Sequence, residues 1–434
     1  MNKIIRRIYF FLGLVSCSRV VNSAELTIEQ ALNLALRHSF EIKMAHSELN
    51  AQSAKHISSW LDLGPRLSAS YNHVFYDGKQ SINMGGQDLL VRDDVVKTGK
   101  IELIQPLTAI FPLMQNARLM GKQKDIKESA VKLSKAQLAF KVAELYLRAQ
   151  QSERVWEIAK VSVEASVAQK KEGEARFRVE RIHRGNLLKL ELFESQSRLN
   201  EAQAKAARDI AYFNLKEAVG LSEAPILTPL VTAGEVIFEN LPTLEEALNL
   251  ALSNRQELKQ AKLGQDIASI TRLASVSKFF PSINFFAQVD RNFGNPGFGG
   301  AKNNKMLGFN FNFEFFNSGA HIFQLREASF NSTKALYQGE VLKQAVRLEV
   351  MSALTSLNTA QEGLLLAHKA MEQANESYRI EKLQFSSGNG SATELLLAQT
   401  AKAQAEGNAA KLITDLKIQK LKLQQALGET QPAL

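Results

Sequence analysis

Residues 26–45, LTIEQALNLALRHSFEIKMA, return as residues 242–261, PTLEEALNLALSNRQELKQA, with 11 of the 20 aligned positions identical. The offset of 216 continues without a gap to Pro65 and Pro281, and LKEAVGLS (215–222) returns as LQQALGET (423–430) at an offset of 208. A period of about two hundred residues is far longer than the ~20–50 residues of solenoid repeats. One large unit has been duplicated and fused, so any fold assigned to the chain must be built twice. The expected arrangement is a leader over 1–24, a first repeat over 25–224, a connection over 225–241 carrying Pro225 and Pro229, and a second repeat over 242–434.

Each unit opens on a capping box, Thr27-x-x-Gln30 and Thr243-x-x-Glu246, ahead of an Ala/Leu-rich run. Helix is expected from there to about Leu63 and Lys278, where Pro65 and Pro281 stop it. Two strands follow in each half. They cover 66–76 and 95–105 around the loop DGKQSINMGGQDLLVRDD, then 282–293 and 306–316 around GNPGFGGAKNN. The stretches 113–224 and 297–431 contain no proline and are rich in good helix formers. Leu138, Val142, Leu145 and Ala149, and Val350, Leu354 and Leu357, step by 4 and 3, the spacing of a helix packed along a seam. Breaks are expected only near Arg181–Gly185 and at SSGNGSAT (386–393). A helix over 113–180 would be roughly 100 Å long at 1.5 Å per residue. Such helices outrun any globular core and must line something extended.

The strand segments have one apolar and one polar face. LGFNFNFEFF (307–316) sets Phe309, Phe311, Phe313 and Phe315 against Asn310, Asn312 and Glu314. The other apolar faces are Leu67, Ala69 and Tyr71; Ile101 and Leu103; and Ile283, Phe285, Ala287 and Val289, with Phe286 breaking the alternation. Strands of about ten residues, apolar out and polar in, are what a transmembrane barrel requires, and barrels need at least ~8 strands to close. Four per chain cannot close, so several copies must share the barrel, and three would give about a dozen. The phenylalanines then face lipid. The competing reading is a soluble four-stranded sheet capping a helical bundle.

The N-terminus suits export. Lys3, Arg6 and Arg7 precede an apolar segment from Ile8 to Val15, the pattern of a secretory signal peptide. Cleavage is expected after Ala24 or, because Leu14-Val15-Ser16-Cys17 resembles a lipobox, before Cys17, which would then be lipidated. Cys17 is the single cysteine, so no intrachain disulfide forms. The net charge of +9 is spread among interleaved acids and bases, without the stripe of a nucleic-acid-binding surface. The seven histidines lack the spacing of a zinc site, and no nucleophile-elbow, zincin or Walker pattern occurs. Neither an enzyme, a cofactor, a metal site nor a nucleic-acid partner is expected.

Taken in order, the paired openings, the strands begun at Pro65 and Pro281, FFNSGA (315–320), FSSGNGSATELLLAQ (385–399) and LQQALG (423–428) resemble the TolC-like outer-membrane efflux proteins over essentially the whole mature chain. The resemblance implies a mainly α protein with a small β part. Its long antiparallel helical hairpins would form an α-barrel, and four strands per protomer would enter a β-barrel shared by a homotrimer. It implies an exit duct of a tripartite efflux or type I secretion system. The duct would sit in outer-membrane lipid and work with a periplasmic adaptor (membrane fusion) protein and an inner-membrane transporter. It also implies a constriction at the helix turns, where Glu394, Gly388 and Gly390 match the second turn. The first turn departs from the pattern, since Glu180 and Asn186 stand at the matching positions. Arg176, Arg178, Arg181 and Arg184 cluster there, either to contact an adaptor or to pair with Glu172, Glu174 and Glu180. The alternative function is a structural or adhesive coiled-coil envelope protein, and a basic helical binding protein is a third.

Overall fold

The computed structural model describes residues 26–221 and 242–432; the expected leader, with Ala24 and Cys17, and the 225–241 connection lie outside them. The described residues form two compact units. One comprises 26–37, 145–221 and 367–414, and the other 38–144, 242–366 and 415–432. Each unit draws on both repeats.

Both repeats open as expected on reciprocal caps. Thr27 N donates to Gln30 Oε1 at 3.2 Å while Gln30 N donates to Thr27 Oγ1 at 3.4 Å, and Thr243 and Glu246 repeat the exchange at 2.9 and 3.3 Å. The opening helix is not continuous, however. It divides into α1 (Ile28–His38) and α2 (Phe40–Leu61), and in the second repeat into α5 (Leu244–Asn254) and α6 (Gln256–Val276). The breaks fall at Ser39 and Arg255, the same position of the repeat. Ser39 takes φ −58° and ψ 124° and its hydroxyl accepts from Ile42 N; Arg255 takes φ −61° and ψ 126°. The Arg255 side chain is 6% exposed and grips both Glu349 carboxylate oxygens at 2.6 Å. That bidentate pair explains why an arginine is tolerated where its counterpart is a capping serine.

Four strands make one antiparallel sheet in the order β1-β4-β5-β6: β1 (Arg66–Phe75), β4 (Val95–Pro106), β5 (Ser282–Asn292) and β6 (Asn303–Asn312). The segment expected as a plain loop carries its own hairpin, β2 (Gln80–Met84) and β3 (Gln87–Arg92), turned at Gly85-Gly86, where both residues have positive φ. A Gly-Gly pair between alternating residues is the signature of such a two-residue turn. The fourth strand also differs from expectation. It starts three residues earlier than 306 and ends at Asn312, so Phe313 and Phe315 lie beyond it, in the segment leading to the next helix. The Asn317–Gly319 turn, with Ser318 at φ 45°, redirects the chain there before the helix starts.

The proline-free stretches form α3 (Ile110–Arg178), α4 (Arg184–Val219), α7 (Ala320–Ser387) and α8 (Ala392–Ala426). α3 has 69 residues and α7 has 68. The expected seams hold: Leu138, Val142, Ala149, Val350, Leu354 and Leu357 are buried, and Leu145 is half-buried. Alanine is abundant among the buried positions, which lets helices approach closely without a thick core.

Candidate functional site

Two regions depart from what a self-contained fold would show, and each lies within one unit. The first is the sheet. Its register puts Leu67, Leu103, Ala287 and Leu307 in one cross-strand row, and Ala69, Ile101 and Val289 in the next. On the same face Ile283 is opposite Phe311, and Phe285 opposite Phe309 with ring centroids 5.6 Å apart. Nothing covers this face among the described residues: Leu307 is 78% exposed, Phe309 69% and Phe311 64%. Phe313, Phe315 and Phe316 are exposed beyond the strand end. The opposite face carries Ser68, Ser70, Asn72, Lys100, Glu102, Gln288, Asp290 and Asn310, with Lys100 and Glu102 paired at 3.0 Å. Phe286, the exception to the alternation, sits on this polar face over Gly308. β1 and β6 are edge strands whose outer backbone groups have no strand partner. An open sheet with one bare apolar face is unfinished as a soluble object.

The second region is the pair of helix turns, α3 to α4 and α7 to α8. They are built alike at an offset of 208. Arg181 N donates to Arg176 O at 2.9 Å and Asn389 N to Gln384 O at 3.0 Å; Glu180 N and Gly388 N donate to Phe177 O and Phe385 O. Both Glu180 (φ 55°) and Gly388 (φ 89°) are left-handed. The first turn thus takes the same geometry as the second although its sequence lacks the glycine.

The turns differ in how the next helix begins. Ser391 Oγ accepts from Thr393 N at 3.1 Å, and Glu394 Oε2 accepts from Ser391 N at 3.3 Å. The Glu394 carboxylate, expected at a constriction, is therefore folded onto the start of α8 while remaining solvent-exposed. At the matching position before α4, His183 makes no side-chain cap.

The arginine cluster separates. Arg176 donates to Glu172 at 2.7 Å and to Ser386 O at 2.8 Å, and its guanidinium lies 4.6 Å from the Phe385 ring centroid. It ties the two turns together and is not a free tip cation. Arg178, Arg181 and Arg184 are exposed and form no ion pair among the described residues; of the expected acidic partners only Glu172 is used by the cluster. Sequence reasoning missed the Arg176–Phe385 contact, because it joins residues from the two repeats. Beneath the turns, Leu190, Phe385, Ala392 and Leu395 form a small core. A Cβ on Gly173 would meet Leu190 Cδ1 at 2.3 Å, so α3 and α4 approach there only because residue 173 is glycine. Lys170 of α3 reaches Glu194 of α4 at 3.0 Å, and Arg198 adds a contact of 2.8 Å. These hydrogen bonds, first from Lys170 and then from Arg198, hold the Glu194 carboxyl below its ordinary range.

Among the described residues no group of His, Cys, Asp and Glu could hold a metal ion, and no helix is long and apolar enough to cross a membrane. The latter says nothing about a barrel.

Residues 247–429 match the family model described as outer membrane efflux protein. A comparison with curated protein sequences finds no match. Among solved structures, the chain is similar to CusC, with a TM-score of 0.81 and 16% identity over 94% of this chain and 93% of that one. It is also similar to the CmeC outer membrane channel of Campylobacter jejuni (TM-score 0.79, 13% identity, 92% and 85% covered). VceC of Vibrio cholerae gives a TM-score of 0.76 at 15% identity, with 93% and 96% covered. At these identities the structural likeness speaks for the fold, and the family model speaks for the second repeat. Family model and fold agree: the second repeat matches the outer membrane efflux proteins, and the chain has the fold of the outer-membrane channels to which it is similar.

Proposed function

We propose that three copies of this chain close one transmembrane β-barrel and one helical tunnel, forming the exit duct of a tripartite efflux or type I secretion system. The observation that carries the reading is the open four-stranded sheet with its apolar face bare and both edges unpaired. In lipid every backbone donor and acceptor must be satisfied internally, so an open sheet is excluded and closure is required. Three sheets of four strands supply twelve, within the range of known barrels. The helices support the same assembly. Phe323, Phe330, Tyr337, Val341 and Leu348 of α7 are exposed at spacings of 7, 7, 4 and 7, a heptad seam that lacks its partner among the described residues. A second copy supplies it.

In this reading the tip turns are the narrow, inner end of the tunnel. Gly388 and Gly390 shape the second turn and Glu394 contributes a ring of three carboxylates, which favours cations over anions. Arg178, Arg181 and Arg184 are the side chains free to meet a periplasmic adaptor. The work is gated conduction, with no bond chemistry.

Cross-linking tests the shared barrel. Cysteines are placed at Ser68, Ser70 or Asn72 on β1 together with Asn304 or Asn310 on β6, and treated in the outer membrane with a short bifunctional thiol reagent. Dimers and trimers are expected from the pairs nearest in register. Monomer alone from every pair contradicts the reading.

A further inference from the structure

The bare sheet face is not apolar along its whole length. Its strand ends divide into two sets: one leads directly into helices, the other into the β2–β3 hairpin and the 293–302 loop. With the helices in the periplasm, the hairpin end is the outer one. There, on the lipid side of the sheet, the rows change from aliphatic to basic. His73 is opposite Lys97, Arg291 is opposite Gly99 and Asn303, and Lys305 is opposite Val289. Lys97, Arg291 and Lys305 stand on three adjacent strands, no carboxylate shares their face of the sheet, and none of the three forms an ion pair among the described residues. Aromatic rings are interleaved with them. Arg291 lies 5.4 Å from the Phe293 ring, and Tyr71 and Phe293 are 5.9 Å apart. The polar face at the same height is balanced instead: Lys100 pairs with Glu102, and Asp290 accepts from Gln288 at 2.7 Å.

Depth places this belt. From Ile283 to Arg291 is eight residues, roughly 27 Å along a strand and about 20 Å of membrane depth at a tilt near 40°. That is most of the ~25 Å apolar band of an outer-membrane barrel, so Arg291 lies near its outer edge, with Lys97 one row further out and Lys305 one row deeper, from where their long side chains snorkel to the outer headgroups. Unpaired cations in contact with hydrocarbon would be costly; at an anionic headgroup layer each contributes attraction instead.

We propose that Lys97, Arg291 and Lys305 form a binding site for the phosphate groups of a phosphorylated lipid in the outer leaflet, with Tyr71 and Phe293 as its aromatic wall. The proposal rests on the barrel reading, because it requires this face to meet lipid.

The test uses full-length protein extracted in detergent, stripped of lipid, and mixed with purified lipid A, with lipid A freed of phosphate, or with inorganic phosphate as competitor. Bound lipid is counted on the intact particle by native mass spectrometry. The parent is expected to retain lipid A in preference to the dephosphorylated form. Each cation removed should weaken retention about fivefold, so K97Q/R291Q/K305Q should lose roughly a hundredfold. K305Q alone, the milder change, should show its single step, and K100Q on the opposite face should show none. Inorganic phosphate should not displace the lipid. Equal retention by the parent and the triple variant, or displacement by inorganic phosphate, overturns the site. A parent particle smaller than a trimer overturns the barrel reading on which it rests.

Discussion

Glu180 and Gly388 occupy the same position of the duplicated unit, and both hold a left-handed backbone, with φ of 55° and 89°. One is a glycine and the other carries a full side chain. The left-handed conformation costs a non-glycine L residue roughly 1–2 kcal/mol. Glu180→Gly should therefore stabilise the first turn by about 1 kcal/mol, and Gly388→Ala should destabilise the second by a similar amount. Thermal unfolding of the extracted protein reads both, and shifts of the same sign would contradict the account.

The helix starts beside these turns give a second pair. Ser391 caps α8 through its hydroxyl, whereas His183 leaves α4 without a side-chain cap. Ser391→Ala should cost about 1 kcal/mol, and His183→Ser should add up to about 1 kcal/mol. Limited proteolysis at each turn is the local readout: cutting near 391 should increase, and cutting near 183 should decrease.

Gly173 tests the close approach of α3 and α4. A methyl group there meets buried Leu190 at 2.3 Å, so Gly173→Ala should destabilise by about 1–3 kcal/mol through overpacking. Adding Leu190→Ala opens the space, so the double variant should fall short of the sum of the single losses. A fully additive double variant would show that the two residues are independent.

The Glu194 pairings predict an acid sensitivity. Its carboxyl is held below the ordinary range by Lys170 and Arg198 in the folded chain. A lowered folded value gives stability that is present above the unfolded value and lost as pH falls through the folded one. Unfolding midpoints should therefore drop below the ordinary carboxylate range, and Glu194→Gln should flatten that part of the profile. A variant profile identical to the parent's would remove Glu194 from the account.

Most of the architecture was legible because it was written twice. Pro65 and Pro281 placed the strand starts, and the proline-free stretches with their two expected breaks marked where α3, α4, α7 and α8 run. What the sequence concealed was local or spanned the repeats. The break at Ser39 and Arg255 lacks proline and glycine, and Arg255 is buried only because Glu349, far along the chain, receives it. The β2–β3 hairpin was hidden inside a loop whose Gly85-Gly86 turn signal lay beside polar residues. Phe313 and Phe315 continue the alternation of β6, but the chain leaves the sheet at Asn312, so pattern outlasted pairing. At the tip, the role of Arg176 depends on Phe385 and Ser386 of the other repeat, a contact that spacing cannot reveal.

The central claim is that the sheet of one chain is a third of a barrel. The most direct measurement is the native mass of the full-length protein extracted in mild detergent from purified outer membranes. The account predicts a particle of three protomers, absent from the soluble fraction. A monomer or dimer in the soluble fraction would contradict it, and the face bearing Phe309 and Phe311 would then be covered by a partner other than lipid.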